Sequence, residues 1–367
     1  MTAVPAKPRF LDFFAGAGLV TEAVKPHFEV VWANDISEKK AKVYQENHGE
    51  DHFELDSVEN VKGAELPEAD IAWASFPCQD LSLAGNQVGI QGRRSGMVWE
   101  WLRVIEEMPE PPPVLVAENV LGLVAAEEGA HYRMLHLELV ARGYLVGALV
   151  LDAIDFLPQS RPRVFVVAVR ADMDVSKWVT PMAGWCHPES VVRASTGLPN
   201  WVFWKVPPAP PRETTLDDVL EWNAPTHEES RAKKTLSLIS PLHQTRLLQE
   251  LTNGFTAAPG YRRTRNGRQV LELRFDKVAG CLRTPEGGSS RQFIVLKRDG
   301  KLTTRLLTAR EAARLMGLPE SYWLPENYNE AYKAMGDAVA VPAVRHLAKT
   351  LLRPLCERAR SMAAVQS

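Results

Sequence analysis

Little in this 367-residue sequence suggests a membrane, a secretory route or a metal. It has no run of about 18 apolar residues, which argues against a membrane-spanning helix. It has no charged-then-apolar leader, so a cytoplasmic protein is expected. The only cysteines, Cys78, Cys186, Cys281 and Cys356, are far apart and show neither zinc-ligand spacing nor a dense disulfide framework. Each is read as a reduced thiol, and no metal is expected. Internal repeats are absent, and the net charge of -2 leaves almost no excess of either sign.

What is present is enough apolar material, 45% of residues, to bury a sizeable core in one large domain plus a smaller one. The first 170 residues alternate short apolar, β-rich runs with helical patterns, the signature of an α/β domain with a mostly parallel sheet. Strands are expected at Arg9 to Phe13, Val30 to Ala33, Asp70 to Ala74, Val114 to Ala117 and Arg163 to Val169. Crossover helices are expected at Met97 to Glu107 and Tyr132 to Ala141. From 171 the periodicity fades, and four prolines fall within Pro207 to Pro211, as in a linker or an irregular insertion. Helical patterns return at Thr308 to Met316, where Thr308 and Glu311 form a capping box, and at Val341 to Leu352. The expected division is 1–170, a second region at 171–300, and C-terminal helices at 301–367 that pack back on the first domain.

The balanced charge hides a division. Residues 231–305 hold 16 Lys+Arg against 5 Asp+Glu, leaving 27 against 40 elsewhere. A solvated face is the bland explanation. Arg262, Arg263, Arg265 and Arg268, in a Gly/Asn-rich turn beside Tyr261, instead suit contacts to phosphates.

Phe10 to Gly18 reads as a strand ending in a tight glycine turn that opens a helix, where backbone N–H groups can meet a ligand. Asp35 follows Gly16 by 19 residues, near the spacing at which a carboxylate takes a ribose diol. Leu19 and Glu22 occupy the stretch where a dinucleotide fingerprint would have its third glycine, which disfavours NAD. Asp35 as an ordinary surface or cap acid remains an alternative.

Ser75-Phe76-Pro77-Cys78-Gln79 follows an apolar run and places Cys78 on a loop at a strand's C-terminal end, the ligand-binding edge of open α/β sheets. A lone cysteine is more often a small core residue, but polar Gln79, Asp80 and Ser82 follow it and would expose the thiol. Ala117-Glu118-Asn119-Val120 brings a carboxylate to the same edge, and Gln159-Ser160-Arg161-Pro162-Arg163 brings two guanidinium groups.

With these motifs the chain resembles the cytosine-5 DNA methyltransferase family. The matches run in family order: Asp12 to Gly18, Pro77-Cys78-Gln79, Glu118-Asn119-Val120, Gln159-x-Arg161-x-Arg163, Leu307 to Pro319, and Gly336-Asp337-Ala338-Val339. Three positions depart from the family pattern. Leu19 stands where a second glycine is frequent, which is tolerable if its φ is negative; Ser95 replaces a glycine after Arg94; Asp337 replaces a frequent asparagine and cannot donate unless protonated.

The resemblance implies a Rossmann-like class I methyltransferase domain with a smaller, irregular target-recognition domain. It implies S-adenosylmethionine as donor and S-adenosylhomocysteine as product, with donor contacts from Phe14, Ala15, Gly16, Gly18, Asp35, Ile36, Asp56, Ser57, Pro77, Asp337 and Val339. Catalytic roles fall to Cys78, Glu118, Arg161 and Arg163, and DNA contacts to Gln79, Ser82, Arg262, Arg263, Arg265, Arg268 and Arg291. Cys78 would add to C6 of a flipped-out cytosine, aided by positive charge from Arg161 or Arg163, while Glu118 holds N3 and the exocyclic amine. A glutamate donating to N3 needs a raised pKa. The expected partner is double-stranded DNA, bound by a monomer in a nucleoid-associated setting, with any restriction endonuclease or defence protein a separate chain. Rival readings are a tRNA cytosine-5 methyltransferase of the same fold, a catalytically silent DNA-binding relative, and a nicotinamide-dependent oxidoreductase.

Overall fold

A computed structural model describes residues 6–77, 96–283 and 291–366. Cys78, Gln79, Ser82, Arg94 and Ser95 lie outside the described residues. The chain divides into two compact units, 1–151 with 162–209 and 343–367, and 152–161 with 210–342.

The first unit opens with β1 (Arg9–Phe13), α1 (Leu19–Val24), β2 (Glu29–Asp35), α2 (Glu38–His48) and β3 (Phe53–Leu55). There follow β4 (Ile71–Ala74), α3 (Met97–Glu107), β5 (Val114–Val120), α4 (Gly122–Ala125), α5 (Ala130–Ala141), β6 (Tyr144–Asp152) and β7 (Pro162–Arg170). Among the described residues these strands form one sheet in the order β3-β2-β1-β4-β5-β7-β6. The ladders from β3 to β5 are parallel, and β7 runs antiparallel to β5.

The central strands are apolar on both faces, as expected of parallel strands covered on each side. Leu11 and Phe13 face a core shared with Val98, Trp101, Leu102 and Ile105 of α3 and with Leu135 and Leu139 of α5. On the opposite face Phe10 packs with Phe28 and Trp73. α3 forms because its apolar residues recur at helical spacing, so one stripe is buried while Glu100, Arg103 and Glu107 face outward and pair.

The rest of this unit holds β8 (Val179–Thr180), α6 (Glu189–Ser195) and β9 (Phe203–Trp204). This stretch shields the strand β6: the N–H groups of Val146 and Val150 donate to Asn200 and Cys186. Capping of this kind hides a backbone ladder that would otherwise invite intermolecular pairing.

The second unit contains α7 (Leu216–Val219), α8 (Glu229–Leu236), α9 (Pro241–Thr252), β10 (Ala257–Arg265), β11 (Arg268–Leu273), β12 (Gln292–Arg298), β13 (Lys301–Leu306), α10 (Ala309–Leu315) and α11 (Tyr328–Asp337). Here the sequence's loss of periodicity conceals an antiparallel sheet in the order β11-β10-β12-β13. Asn266 and Gly267, both at positive φ, join β10 to β11 in the two-residue turn that favours those residues. The capping box on α10 is formed, with Thr308 and Glu311 each accepting from the other's backbone N–H. α12 (Val341–Leu347) then continues through a π-helical turn at 348–352 into α13 (Arg353–Gln366), well past the Leu352 at which the sequence pattern ends.

Candidate active site and nucleic-acid surface

Strand order reverses between β1 and β4: the chain goes from β1 outward to β2 and β3, then returns to β4 on the other side of β1. In open α/β sheets the crevice beyond the C-terminal ends of such a pair is where ligands bind. Two chemically distinctive segments leave the sheet at this point, the glycine turn after β1 and Ser75-Phe76-Pro77 after β4.

The turn is held from outside. Phe14, Gly16 and Gly18 have φ of 58°, 57° and 82°. Phe14 is the surprise, because a bulky residue in the left-handed region is strained and must be held there by its surroundings. Asn34 at the end of β2 holds it: its side-chain oxygen accepts from the Phe14 N–H at 3.3 Å, and its carbonyl accepts from the Ala15 N–H at 2.8 Å. Leu19, by contrast, is the first residue of α1 and is absent from the positive-φ positions.

Asp35 accepts the Gly16 N–H and the Ser37 N–H, each at 2.9 Å, on opposite carboxylate oxygens. An ionised carboxylate offers about four lone-pair sites, so capacity for a ribose diol remains. Next to it Ile36 is 70% exposed, an apolar surface at the sheet edge that suits a flat ring. Asn34 also donates to the carbonyl of Asp56, and Asp56 accepts from the Ser57 N–H and the Asn60 side chain. Hydrogen bonds through Asn34 and Asp35 thus link the turn to Asp56 and Ser57 at one edge of the sheet, with Ile36 next to Asp35 in sequence.

Beneath the turn Asp12 is wholly buried, and its Oδ2 accepts from the Thr21 hydroxyl at 2.8 Å. The Tyr44 hydroxyl lies 3.1 Å from Thr21 and 2.9 Å from His52 Nε2, which extends the chain of polar groups. Asp12 Oδ1 has no partner, and burial raises the carboxyl to a pKa of about 7, with the nearby Asp35 charge adding to the shift. His48 packs under Gly18 within 3.0 Å of its carbonyl oxygen, and burial lowers this imidazole to about 4.

On the other side of the switch point the Ser75 N–H donates to the Phe13 carbonyl, and Asn119 donates to the Phe76 carbonyl at 3.1 Å. Asn119 thus ties β5 to the segment that leads into Cys78. Glu118 is 5% exposed, and its Oε1 lies 3.1 Å from Nε of Arg163. Register explains the contact: Glu118 pairs with Phe165, and Arg163 lies two residues along β7, on the same face as the diagonal neighbour. Pro77 is exposed at the end of this segment.

Arg161 does not share this setting. It lies in the second unit at 1% exposure, and its guanidinium donates to the carbonyls of Leu282, Gly336 and Ala338 and to the Cys281 sulfur. Gln159 is buried beside it, donating to the Leu315 carbonyl and accepting from the Leu282 N–H. Arg161 thereby holds the backbone on both sides of Asp337, which is exposed; Val339, next along, is buried.

The arginines singled out for phosphate contact sit mainly on β10 and β11 rather than in the turn between them. Arg262 stacks over Phe293 at 5.0 Å and Arg263 over Tyr261 at 5.2 Å. Arg265 pairs with Glu272 at 2.6 Å, and Arg268 is exposed directly across from it. Arg291 donates to Asn329 and lies over Tyr328.

Sequence reading had no role for Asn34 or the side chain of Asn119. Their signal was a polar residue at the last positions of an otherwise apolar strand, repeated on two strands of one edge. Among the described residues no group of three or more His, Cys, Asp and Glu is placed to hold a metal, and no helix is long and apolar enough to cross a membrane.

Comparison with known proteins gives a consistent picture. The sequence pattern of the family described as C-5 cytosine-specific DNA methylase matches residues 8–353. The chain is 25% identical over 351 residues to the Type II methyltransferase M.Bsp6I of Bacillus sp. (strain RFL6), covering 94% of this chain and 98% of that one. It is 24% identical over 342 residues to M.HhaI of Haemophilus parahaemolyticus, covering 93% of each. Its fold is similar to that of the Dnmt2 methyltransferase of S. pombe, with a TM-score of 0.59 at 19% identity over 96% of this chain and 99% of the other.

Proposed function

The chain belongs to the C-5 cytosine-specific DNA methylase family and is a DNA cytosine-5 methyltransferase, and from that premise we propose that Cys78 is its covalent nucleophile. The observation that carries the reading is a convergence at one switch point. The glycine turn, the segment ending at Pro77 and the Glu118–Arg163 pair all stand at the C-terminal edge where strand order reverses.

S-adenosylmethionine, when bound, supplies an electrophilic methyl group and leaves as S-adenosylhomocysteine. The chain's own residues do the rest. The Phe14–Gly18 turn offers backbone N–H groups and room for close approach, Asp35 accepts the ribose hydroxyls, and Ile36 covers the adenine. Cys78 as thiolate forms a bond to C6 of the target cytosine, moving the ring's electron pair toward C5. C5 then takes the methyl group, a base removes the C5 proton, and the electron pair left behind expels the Cys78 thiolate. Glu118 holds the exocyclic amine and N3, while Arg163 fixes the orientation of the carboxylate.

The base must leave the duplex to be attacked from its face, at a cost of a few kcal/mol. Backbone contacts from the basic 231–305 stretch, among them Arg262, Arg263, Arg265, Arg268 and Arg291, offset that cost, and Gln79 and Ser82 complete the set of DNA contacts. The named relatives are Type II methyltransferases, which supports a modification role paired with a separate endonuclease. Replacing Cys78 by Ala tests the scheme: methyl transfer to duplex DNA should vanish while donor binding persists.

A further inference from the structure

Outside residues 231–305 the chain holds 27 Lys+Arg against 40 Asp+Glu, yet one surface of the first unit runs against that balance. Arg345, Lys349 and Arg353 recur every four residues along the α12–α13 run. Residues four apart lie one above another on a helix, and the intervening π-helical turn, slightly wider than an α turn, keeps them on one stripe. At 1.5 Å per residue the three cations are spaced at about 6 Å.

The stripe continues onto the start of the chain. Arg345 donates to the carbonyl of Glu22 on α1, Lys25 pairs with Glu22 at 2.6 Å, and Lys7 donates to the carbonyl of Lys25 at 2.7 Å. Lys7, Lys25 and Lys349 are exposed. Among the described residues the acids paired with these five cations are Glu22, with Lys25, and Glu357, with Arg353, so five cations meet two acids. His27, in the middle of the patch, is held below the usual imidazole range by partial burial and by Arg353, Lys349, Arg345 and Lys7. Lys7, Lys25 and His27 precede the N-terminal ends of β1 and β2, opposite to the edge that carries Glu118 and the glycine turn.

We infer that Lys7, Lys25, Arg345, Lys349 and Arg353 form a second, non-specific contact for the phosphate backbone of duplex DNA, remote from the methylation site. Charge complementarity carries the inference. A row of cations at about 6 Å steps meets a polymer bearing one negative charge per about 1.7 Å of axis, and each phosphate neutralised releases counterions. Duplex DNA is the favoured occupant because it is the polyanion this enzyme already engages. The contact would hold DNA outside the target sequence and prolong residence on long molecules.

The test compares the full chain with Lys349→Glu/Arg353→Glu and with a control, Lys62→Glu/Arg103→Glu, which changes charge equally on the same unit at residues outside the patch. The probe is a mixed-sequence duplex of roughly 60 base pairs, titrated by fluorescence anisotropy at several salt concentrations. The patch variant should lose about tenfold or more in affinity at low salt, and its log K against log salt slope should fall by about two, while the control changes little. Equal losses in both variants, or no loss in the patch variant, would overturn the inference. So would unchanged duplex affinity combined with lost binding to phosphatidylserine vesicles. Unchanged melting temperatures establish that both variants fold. The inference rests on the DNA-methyltransferase reading, but the two fail separately: a wild-type chain that leaves plasmid DNA unmethylated contradicts that reading, whereas a patch variant with wild-type duplex affinity contradicts only the second contact.

Discussion

Glu118 and Arg163 meet across the antiparallel β5–β7 ladder, carboxylate Oε1 to guanidinium Nε at 3.1 Å, with both side chains largely withdrawn from water. The pair brings charge to the C-terminal end of a strand that is otherwise buried in the sheet. Breaking a buried pair from one side strands a charge, at about 3 kcal/mol.

Arg163→Ala should therefore lower both stability and kcat/KM, the latter by about a hundredfold. Adding Glu118→Gln to Arg163→Ala should recover stability without recovering activity, and the two activity losses should combine far from additively. Denaturant titrations and single-turnover kinetics on the four proteins of the cycle check both statements.

A different outcome is expected for Arg161. Its guanidinium serves the carbonyls of Leu282, Gly336 and Ala338, so Arg161→Ala leaves several buried acceptors unsatisfied, each costing about 1–3 kcal/mol. The variant should show a large drop in melting temperature, and Arg161→Lys, which lacks the planar fork, should recover only part of it.

Gly16 and Gly18 should respond unequally to alanine. Both have positive φ, but a Cβ on Gly18 would lie 2.5 Å from the His48 ring, whereas on Gly16 the nearest atom is 3.9 Å away. Gly16→Ala should cost about 1 kcal/mol of backbone strain and Gly18→Ala clearly more, with a matching loss of donor affinity measurable by calorimetry.

The buried Asp12 sets a pH dependence. Its carboxyl titrates near 7 in the folded chain against 3.8 in its ordinary state, so the folded form retains a proton that the unfolded form has released. Its contribution is fully present below about pH 4, declines as pH rises toward 7, and is gone above it. The integrated loss is on the order of 4 kcal/mol. Asp12→Asn should remove this slope, so the stability difference between variant and wild type should shift toward the variant from pH 5 to pH 8. A difference that stays constant over that range contradicts the assignment.

Much of the catalytic unit was legible because its signals are local. Arg9 to Phe13 and Met97 to Glu107 match β1 and α3 residue for residue, since an apolar run and a 3.6-residue stripe need no distant partner to be recognised. β6 was missed because the apolar run Tyr144–Asp152 contains Gly147, a residue that ordinarily weakens a strand. The structure explains it: a Cβ there would strike the Trp204 ring at 2.6 Å, a contact between positions 57 apart. The sheet β10–β13 was hidden for a related reason, because its strands carry arginines that stack on Phe293 and Tyr261 and so do not read as apolar. The motif Gln159-x-Arg161-x-Arg163 was readable as a motif but not as a division of labour, which depends for Arg161 on carbonyls more than a hundred positions away and for Arg163 on Glu118, on a different strand.

The central claim is the bond from Cys78 to the cytosine ring, and trapping tests it most directly. A long duplex synthesised with 5-fluorocytosine at every cytosine contains the recognised site whatever its sequence, and fluorine at C5 prevents the elimination that frees the enzyme. With S-adenosylmethionine present, wild-type protein should become permanently attached to this DNA, and mass spectrometry of the digest should find the modified nucleotide on the peptide containing Cys78. Failure to form that adduct, or full methyl transfer to ordinary DNA by Cys78→Ala, would contradict it.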